Sequence, residues 1–479
     1  MKTTTEPQGP SLFKRMVFLT GARGFRELLG AVFYILLARK STVLFGEFML
    51  ALGMGYLLRI AADFGLNQFL VPRLGRKETD TTHLLVQVSL LKAALFMVAW
   101  TAGLVFLFSQ DYTVQLRRVM ILITAGVGLE AFSNTFFVVL QVRGRQKTEG
   151  LVRSAASFLG FGWGIATLAA GLSAPVIASF KLVETAILLA FAGCMMFREH
   201  RPRLTSQTMA GLALILPQVL IFGLIDIFSV AFAKINLFFL QHHGGSHDVA
   251  QYSAPWEIVD GTTILVLELI LQGVLYPVFA RLWLRDREQA VEIAQNSFRW
   301  LMAAALVISA VLYLESDRLI PGIYGPNYPD AVWLQHVLVL TAALSFLQYL
   351  CAFLMMSMGQ EKRLLLYLLV VLLFNILCCM VLIPRSPLQG AAWSIVATKA
   401  VVAALTVFHC HAEMRLIPWR SLALLGAACA SGAFLFLACR GWASRELAEL
   451  SAVMPVIVLA GFWWRGQRRS TVRAGTEQF

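Results

Sequence analysis

Arg23, Arg26 and Glu27 stand together at the head of an apolar stretch that runs from Leu28 to Ala38. An ionised side chain deep in hydrocarbon costs roughly 2.5–3.5 kcal/mol on insertion scales, so one persists there only where a partner or a wet cavity receives it. The pattern recurs along the chain. Arg59 and Asp63 sit in YLLRIAADFG, Asp226 and Lys234 in LIDIFSVAFAKIN, and Asp260 and Glu268 in the apolar stretch that follows. A spacing of four is one helical turn and eight is close to two, so each of these pairs, like Arg23 with Glu27, shares a face. Cations so placed bind multi-oxygen anions through charge-assisted hydrogen bonds, while the acids orient them or accept a cation. A second reading of Arg23 and Arg26 stands beside this one: Lys14-Arg15 lies two or three turns earlier, close enough for both arginines to snorkel to headgroups. Lys92, Lys181, Glu184 and Lys399 are also ionisable and inside apolar runs, whereas Glu130 stands alone in its run and carries little information.

Those groups must be carried by membrane-spanning helices. The 479 residues are 58% hydrophobic and 14% charged, with a mean hydropathy of +0.72. That is far below the charge of ordinary soluble domains, about 25%. Windows of about 20 residues place spans near 14–38, 43–66, 84–108, 118–140, 151–171, 174–197, 209–240, 257–280, 299–320, 332–356, 364–383, 388–411, 418–439 and 446–464. The net charge of +13 does not point to nucleic acid, because the basic residues lie in short loops. Roughly 25 of the 40 Lys and Arg fall on one side, which the positive-inside rule makes the cytoplasm, together with both termini. A polar N-terminus argues against a cleaved signal peptide. The seven cysteines lie in or beside apolar runs, without metal-ligand spacing. HHGGSH (His242, His243, His247) reads as a solvated external loop of about 16 residues rather than a metal site. GFGWG (Gly160–Gly164) reads as a helix-packing surface, not a nucleotide loop.

Two halves echo each other at an offset of 215 residues: Gly144-x-x-Lys147 matches Gly359-x-x-Lys362, and Glu184 matches Lys399. A six-span duplication follows, parallel about an axis along the membrane normal, with a cleft between the halves. The expected fold is an all-α polytopic membrane protein of about 14 helices. It divides into a six-helix lobe over residues 1–204, a second over 205–415, two added helices over 416–464, and a basic cytoplasmic tail over 465–479.

LLARKSTVLFGEFMLAL, AKINLFFL with VAQYSAPWEI, VLYPVFARLW, LIPGIYGPNYPDAVWLQHVLVL, MGQEKRLLLYLLVVLLFNILCCMVLIP and LQGAAWSIVATKAVV occur in this order. Over nearly the whole chain they resemble the polysaccharide-export branch of the multidrug/oligosaccharidyl-lipid/polysaccharide exporter superfamily, known for O-antigen-type flippases of lipid-linked oligosaccharides. The resemblance implies two lobes around a central cavity in the bacterial inner membrane, rocking by alternating access. It implies no enzyme activity and no resident cofactor, with coupling to a proton, a sodium ion or the membrane potential. The implied partners are a polyprenyl-diphosphate-linked oligosaccharide, membrane lipids and other polysaccharide assembly proteins. Arg23, Arg26, Arg59, Lys234 and Lys399 would then face the diphosphate and sugars, with Glu27, Asp63, Asp226, Asp260 and Glu268 as coupling or ion-pair groups. The chain departs from the family pattern at Asn236 and Lys399, where acids are expected. The alternatives are a cation-coupled drug or solute antiporter of the same superfamily and a membrane glycan polymerase or ligase. The short external loops count against the enzyme.

Overall fold

A computed structural model describes residues 12–76, 81–199, 206–267, 271 and 275–476. The described residues are helical, without strands. The first nine helices are α1 (Leu12–Lys40), α2 (Thr42–Asp63), α3 (Leu66–Arg76), α4 (Thr81–Ser109), α5 (Val114–Val142), α6 (Gln146–Ala169), α7 (Ala174–Ala178), α8 (Phe180–Glu199) and α9 (Ser206–Leu267). The next nine are α10 (Tyr276–Arg285), α11 (Arg287–Leu314), α12 (Ser316–Tyr324), α13 (Pro329–Leu338), α14 (Leu340–Ser357), α15 (Glu361–Leu382), α16 (Pro387–Met414), α17 (Trp419–Cys439) and α18 (Arg445–Thr476). Among the described residues twelve helices are long and apolar enough to cross a membrane, so the chain is a multi-pass membrane protein. That count reconciles with fourteen expected spans at two places. Helix α1 is long enough but carries the three charges of the opening motif, and the 53-residue apolar part of α9 takes in most of the span expected near 209–240 together with the first part of the one expected near 257–280.

The join inside α9 corrects the reading of HHGGSH. His242, His243 and His247 belong to helix, and the break is the single residue Gly245, at φ 73° and ψ −177°. Only glycine takes that conformation without a Cβ clash, so one residue does what a 16-residue loop was expected to do. On the N-terminal side of the break, α9 runs antiparallel to α2. Gly53 faces Leu237, and Gly65 faces the backbone of Gly223. At Gly46 the approach is closer still, for an added Cβ would run into the carbonyl oxygen of Ser246.

Contacts divide the chain into two compact units, Met1–Ala250 and Gln251–Phe479. The duplication places its own boundary at 204/205 by sequence echo, a different criterion from contact density. The echo has a structural counterpart. Helix α5 spans 114–142, and α13 with α14 spans 329–357, so both ends match at the same offset of 215. Each is followed by one left-handed glycine, Gly144 (φ 74°) and Gly359 (φ 72°), and then by a helix, α6 or α15. The turn hydrogen bonds match too. Arg145 N donates to Leu140 O at 2.8 Å, and Gln360 N to Met355 O at 2.9 Å. Such 6→1 bonds after an αL glycine satisfy the last carbonyls of a helix, so the two turns are one device used twice.

In the second unit α17 and α18 pack on α11 through Ala303, Leu425, Ala428 and Val456, with Trp300 and Trp463 edge to face. Arg445 at the start of α18 donates to Asp317 at 2.5 and 2.7 Å and to Glu449 at 2.6 Å. Those hydrogen bonds hold the Asp317 carboxyl below the usual aspartate range. Exposed pairs of this kind contribute little, so the apolar seam carries the stability of the hairpin.

Replacing Gly46 with Ala is expected to destabilise the first unit by about 1–3 kcal/mol, the usual cost of overpacking. Replacing Gly162, whose added Cβ meets nothing within 4 Å, is expected to leave it unchanged. Thermal unfolding of both variants in detergent measures the difference.

Candidate functional site

Five ionisable side chains of the first unit meet in one network. Its hub is Glu130 on α5, whose side chain is 2% exposed. Arg26 on α1 grips it with both terminal nitrogens, at 2.9 and 3.1 Å, in the fork geometry that favours arginine over lysine. Lys181 on α8 donates to Oε2 of the same carboxylate at 2.9 Å. Arg59 on α2 approaches it to 3.9 Å. A second carboxylate, Glu184, accepts from Lys181 at 2.6 Å and from Ser157 at 2.8 Å, and it lies 3.2 Å from Arg26 Nε. Three cations thus face two carboxylates, and one positive charge is in surplus.

Small residues make this convergence sterically feasible. A Cβ at Gly126 would sit 2.7 Å from Lys181 Cγ, and one at Gly160 would sit 2.6 Å from the Cβ of Glu184. The GFGWG stretch is therefore the packing surface its sequence indicated. Next to the network lies an aromatic layer. Phe33 packs against Phe180 at 4.6 Å between centroids and Phe161 at 5.8 Å, and Phe48 stacks on Phe180. Arg26 lies about two turns from Phe33, and Glu184 one turn from Phe180, so the layer bounds the charges on one side.

A second cluster sits beside the first. Lys92 on α4, fully buried, donates to Asp63 at 2.5 Å, Asn67 at 3.0 Å, Thr135 at 2.5 Å and the carbonyl of Ala131 at 3.0 Å. An ammonium has three protons, so its donor capacity is filled. Asp226 on α9 accepts from Gln68 at 3.3 Å. Lys234, two turns further along α9, lies 5.8 Å from the centroid of the Tyr56 ring, and Arg59 lies 5.2 Å from the same centroid. Such cation–π contacts contribute about 0.5–2 kcal/mol and leave N–H groups available to another acceptor.

One expected pairing is corrected. Arg59 does not pair with Asp63: the buried ammonium of Lys92 takes Asp63, and Arg59 turns to Glu130 and Tyr56. A fully buried cation gains more from a carboxylate than a half-exposed guanidinium does, which decides between the two. Glu130, which seemed uninformative in sequence, is the hub. Glu27 is exposed, and the side chain of Arg23 lies outside the described residues, so their pairing does too. Asp226 and Lys234 do share a face, turned toward α3 and α2. Lys399 and Asp260 belong to the second unit. Lys399 is 2% exposed, with Nζ 5.5 Å from the centroid of Tyr349, and Asp260 is half-buried. Glu268 lies outside the described residues.

A family model described as polysaccharide biosynthesis protein matches residues 12–283. The chain belongs to that family. No curated protein sequence gives a match. Among solved structures, this polysaccharide biosynthesis protein is similar to the lipid II flippase MurJ in an inward closed conformation. The TM-score is 0.74 at 11% identity, over 94% of this chain and 99% of that one. It is also similar to an inward-facing multidrug resistance MATE family transporter of the MOP superfamily, at TM-score 0.62 and 16% identity, over 81% of this chain and 94% of that one. At such identities the likeness is one of fold.

The network sets a stability test. Glu130→Ala leaves Arg26 and Lys181 to share Glu184, and is expected to cost about 3–5 kcal/mol, as the loss of one partner of a buried ion pair does. Glu130→Ala combined with Lys181→Met removes a charge of each sign and is expected to recover part of that loss. Unfolding midpoints of the two variants in detergent provide the comparison.

Proposed function

We propose that this polysaccharide biosynthesis protein is a flippase. Its cargo is a polyprenyl-diphosphate-linked oligosaccharide, carried from the cytoplasmic to the periplasmic leaflet of the bacterial inner membrane for surface polysaccharide assembly. Both termini are cytoplasmic in this reading, and rocking between conformations exposes the cargo site to each side in turn. The energy comes from a proton, a sodium ion or the membrane potential.

One observation carries the proposal: the buried network of the first unit holds more positive than negative charge, and two of its three cations, Arg26 and Arg59, are the members that reach toward solvent. Arg26 and Arg59 are 23% and 29% exposed, against 2% and 0% for Glu130 and Glu184. A diphosphate approaching this surface meets guanidinium N–H groups and the Lys234 ammonium near Tyr56, with the buried carboxylates Glu130 and Glu184 behind Arg26. Glu130 and Glu184 fix the guanidinium of Arg26, so little rotamer entropy remains to be lost on binding. The polyprenyl tail never has to leave hydrocarbon. Only the headgroup needs a polar path, since sugars and phosphates cannot cross lipid unaided. A surplus of positive charge supports an anionic cargo over the cationic drugs of an antiporter. The family description, polysaccharide biosynthesis, points the same way.

Arg26→Ala and Arg59→Ala are each expected to lower surface polysaccharide at least about tenfold, the effect of one lost charge-assisted contact, while the chain still inserts in the membrane. Immunoblots of the membrane fraction and gels of surface glycan report both quantities. Normal glycan in both variants would overturn the assignment, and resistance to cationic dyes on overexpression would favour the antiporter instead.

A further inference from the structure

We propose that Glu47 accepts the proton that drives translocation, taking it from the outer side of the membrane. The inference rests on the flippase reading and names the coupling ion that this reading leaves open among three sources of energy. Glu47 lies on α2, just over one turn from its start at Thr42, and is 5% exposed. In the orientation proposed above, this end of α2 faces the periplasm. Four acids are buried among the described residues: Glu47, Glu130, Glu149 and Glu184. Glu130 and Glu184 belong to the network of Arg26 and Lys181, and Glu149 accepts from Arg153 Nε at 2.9 Å. Glu47 is the exception, because its described partner is an uncharged amide. Gln115 Nε2 donates to its two oxygens, at 3.1 and 3.4 Å.

The ionisable groups on the surrounding elements are engaged elsewhere. On α1, Lys40 donates to the Leu168 carbonyl at 2.9 Å, and Arg39 is exposed. On α5, Arg117 donates to the Gln110 carbonyl at 2.9 Å and lies over the Phe108 ring, while Arg118 is exposed. On α9, His247 and Asp248 face each other at 3.5 Å, and His242 packs edge to face on His243. On α4, His83 lies at the opposite end and Lys92 is committed to Asp63. An uncompensated carboxylate out of water is costly, and binding a proton removes the cost. A sodium ion would remove it only with several further oxygen ligands, whereas the group set against Glu47 presents N–H.

The place of this acid in the fold couples its proton to movement. Gln115, in the first turn of α5, is exposed, so the hydrogen bond that holds the carboxyl also leads to the surface. The preceding residue, Gly46, is where α2 comes up against the carbonyl of Ser246 on α9. Packing of α2 against α5 and α9 thus suits a neutral carboxyl, and loosening it lets water reach the acid and ionise it. In the reverse step the carboxylate takes one proton from the outer side and becomes a carboxylic acid, with no electron moved. A ligand shifts an equilibrium toward the state that binds it better, so an outer proton favours the packed form. Arg59, a proposed cargo contact, lies about three turns further along the same helix, so proton and cargo act on one element.

Infrared difference spectroscopy of the full chain in detergent reads the protonation directly. At neutral pH the wild type is expected to show a protonated-carboxyl band that Glu47→Gln lacks. Glu288→Gln, altered at an exposed acid of α11, is expected to keep that band. In cells, Glu47→Gln is an uncharged isostere that preserves the packing. It is expected to lower surface polysaccharide about tenfold, the bias that one pH unit gives a one-proton cycle, with normal membrane insertion on immunoblots. Glu47→Asp, which keeps a carboxyl, is expected to retain most export, and His247→Gln, at a titratable ring on α9, should leave it unchanged. Identical carboxyl bands in the wild type and Glu47→Gln would overturn the proposal. With export lost in Arg26→Ala and Arg59→Ala, normal export in Glu47→Gln would overturn the proton site and spare the flippase reading. Normal export in all three would overturn both.

Discussion

The carboxylate of Glu130 is the constraint on which the first unit depends. It is held by Arg26, Lys181 and, at longer range, Arg59, and those residues come from α1, α8 and α2 around the α5 that carries it. In a medium of low dielectric an unpaired charge is far more costly than a lost apolar contact, so helices that share a buried ion cluster can move only in ways that keep it satisfied. The cluster specifies which four helices assemble and in what rotation. Apolar packing alone discriminates weakly here, because lipid is as apolar as the helix faces.

The rest of the local architecture serves that requirement. Gly126 and Gly160 allow α8 to approach α5 and α6, which brings Lys181 and Glu184 within reach. The ring cluster of Phe33, Phe161 and Phe180 closes one side with side chains that carry no hydrogen-bonding groups. Lys92 and Asp63 form a separate, self-contained pair, with Asn67 and Thr135 filling the remaining donor capacity. The cations of the first network that reach solvent are Arg26 and Arg59.

Much of this was legible from residue order. Long apolar runs are unambiguous, and the left-handed glycines at 144 and 359 announced the duplication because a Schellman-type turn demands glycine in each copy. The family resemblance was carried by short motifs whose order survived where their individual residues varied. The ion pairs were less legible for a physical reason. Spacing of four predicts a partner on the same helix, but a helix in lipid presents its charged face to other helices, and the partner is then far away in sequence. Glu130 looked isolated because its three cations lie about 50 to 100 residues away, as the Lys181 and Arg26 contacts do. A rule of neutrality would have found it: a chain that buries Lys92 and Lys181 has to bury acids near them. The Gly245 break was missed because two glycines among histidines look like a loop, whereas one positive-φ residue suffices to interrupt a helix.

Duplication supplies two copies of each position, yet the charged cluster was kept in one. At the offset that aligns the two turns, Glu184 corresponds to Lys399, Glu130 to Ser345 and Gly160 to Asn375. Where Gly160 leaves room for Glu184, Asn375 fills the equivalent space and accepts from Thr398 at 3.0 Å. Lys399 cannot rebuild the network, for the acid at its hub has become a serine, and it lies against the ring of Tyr349. A second buried charged cluster would carry a desolvation cost of its own, and the second copy of the position does without it.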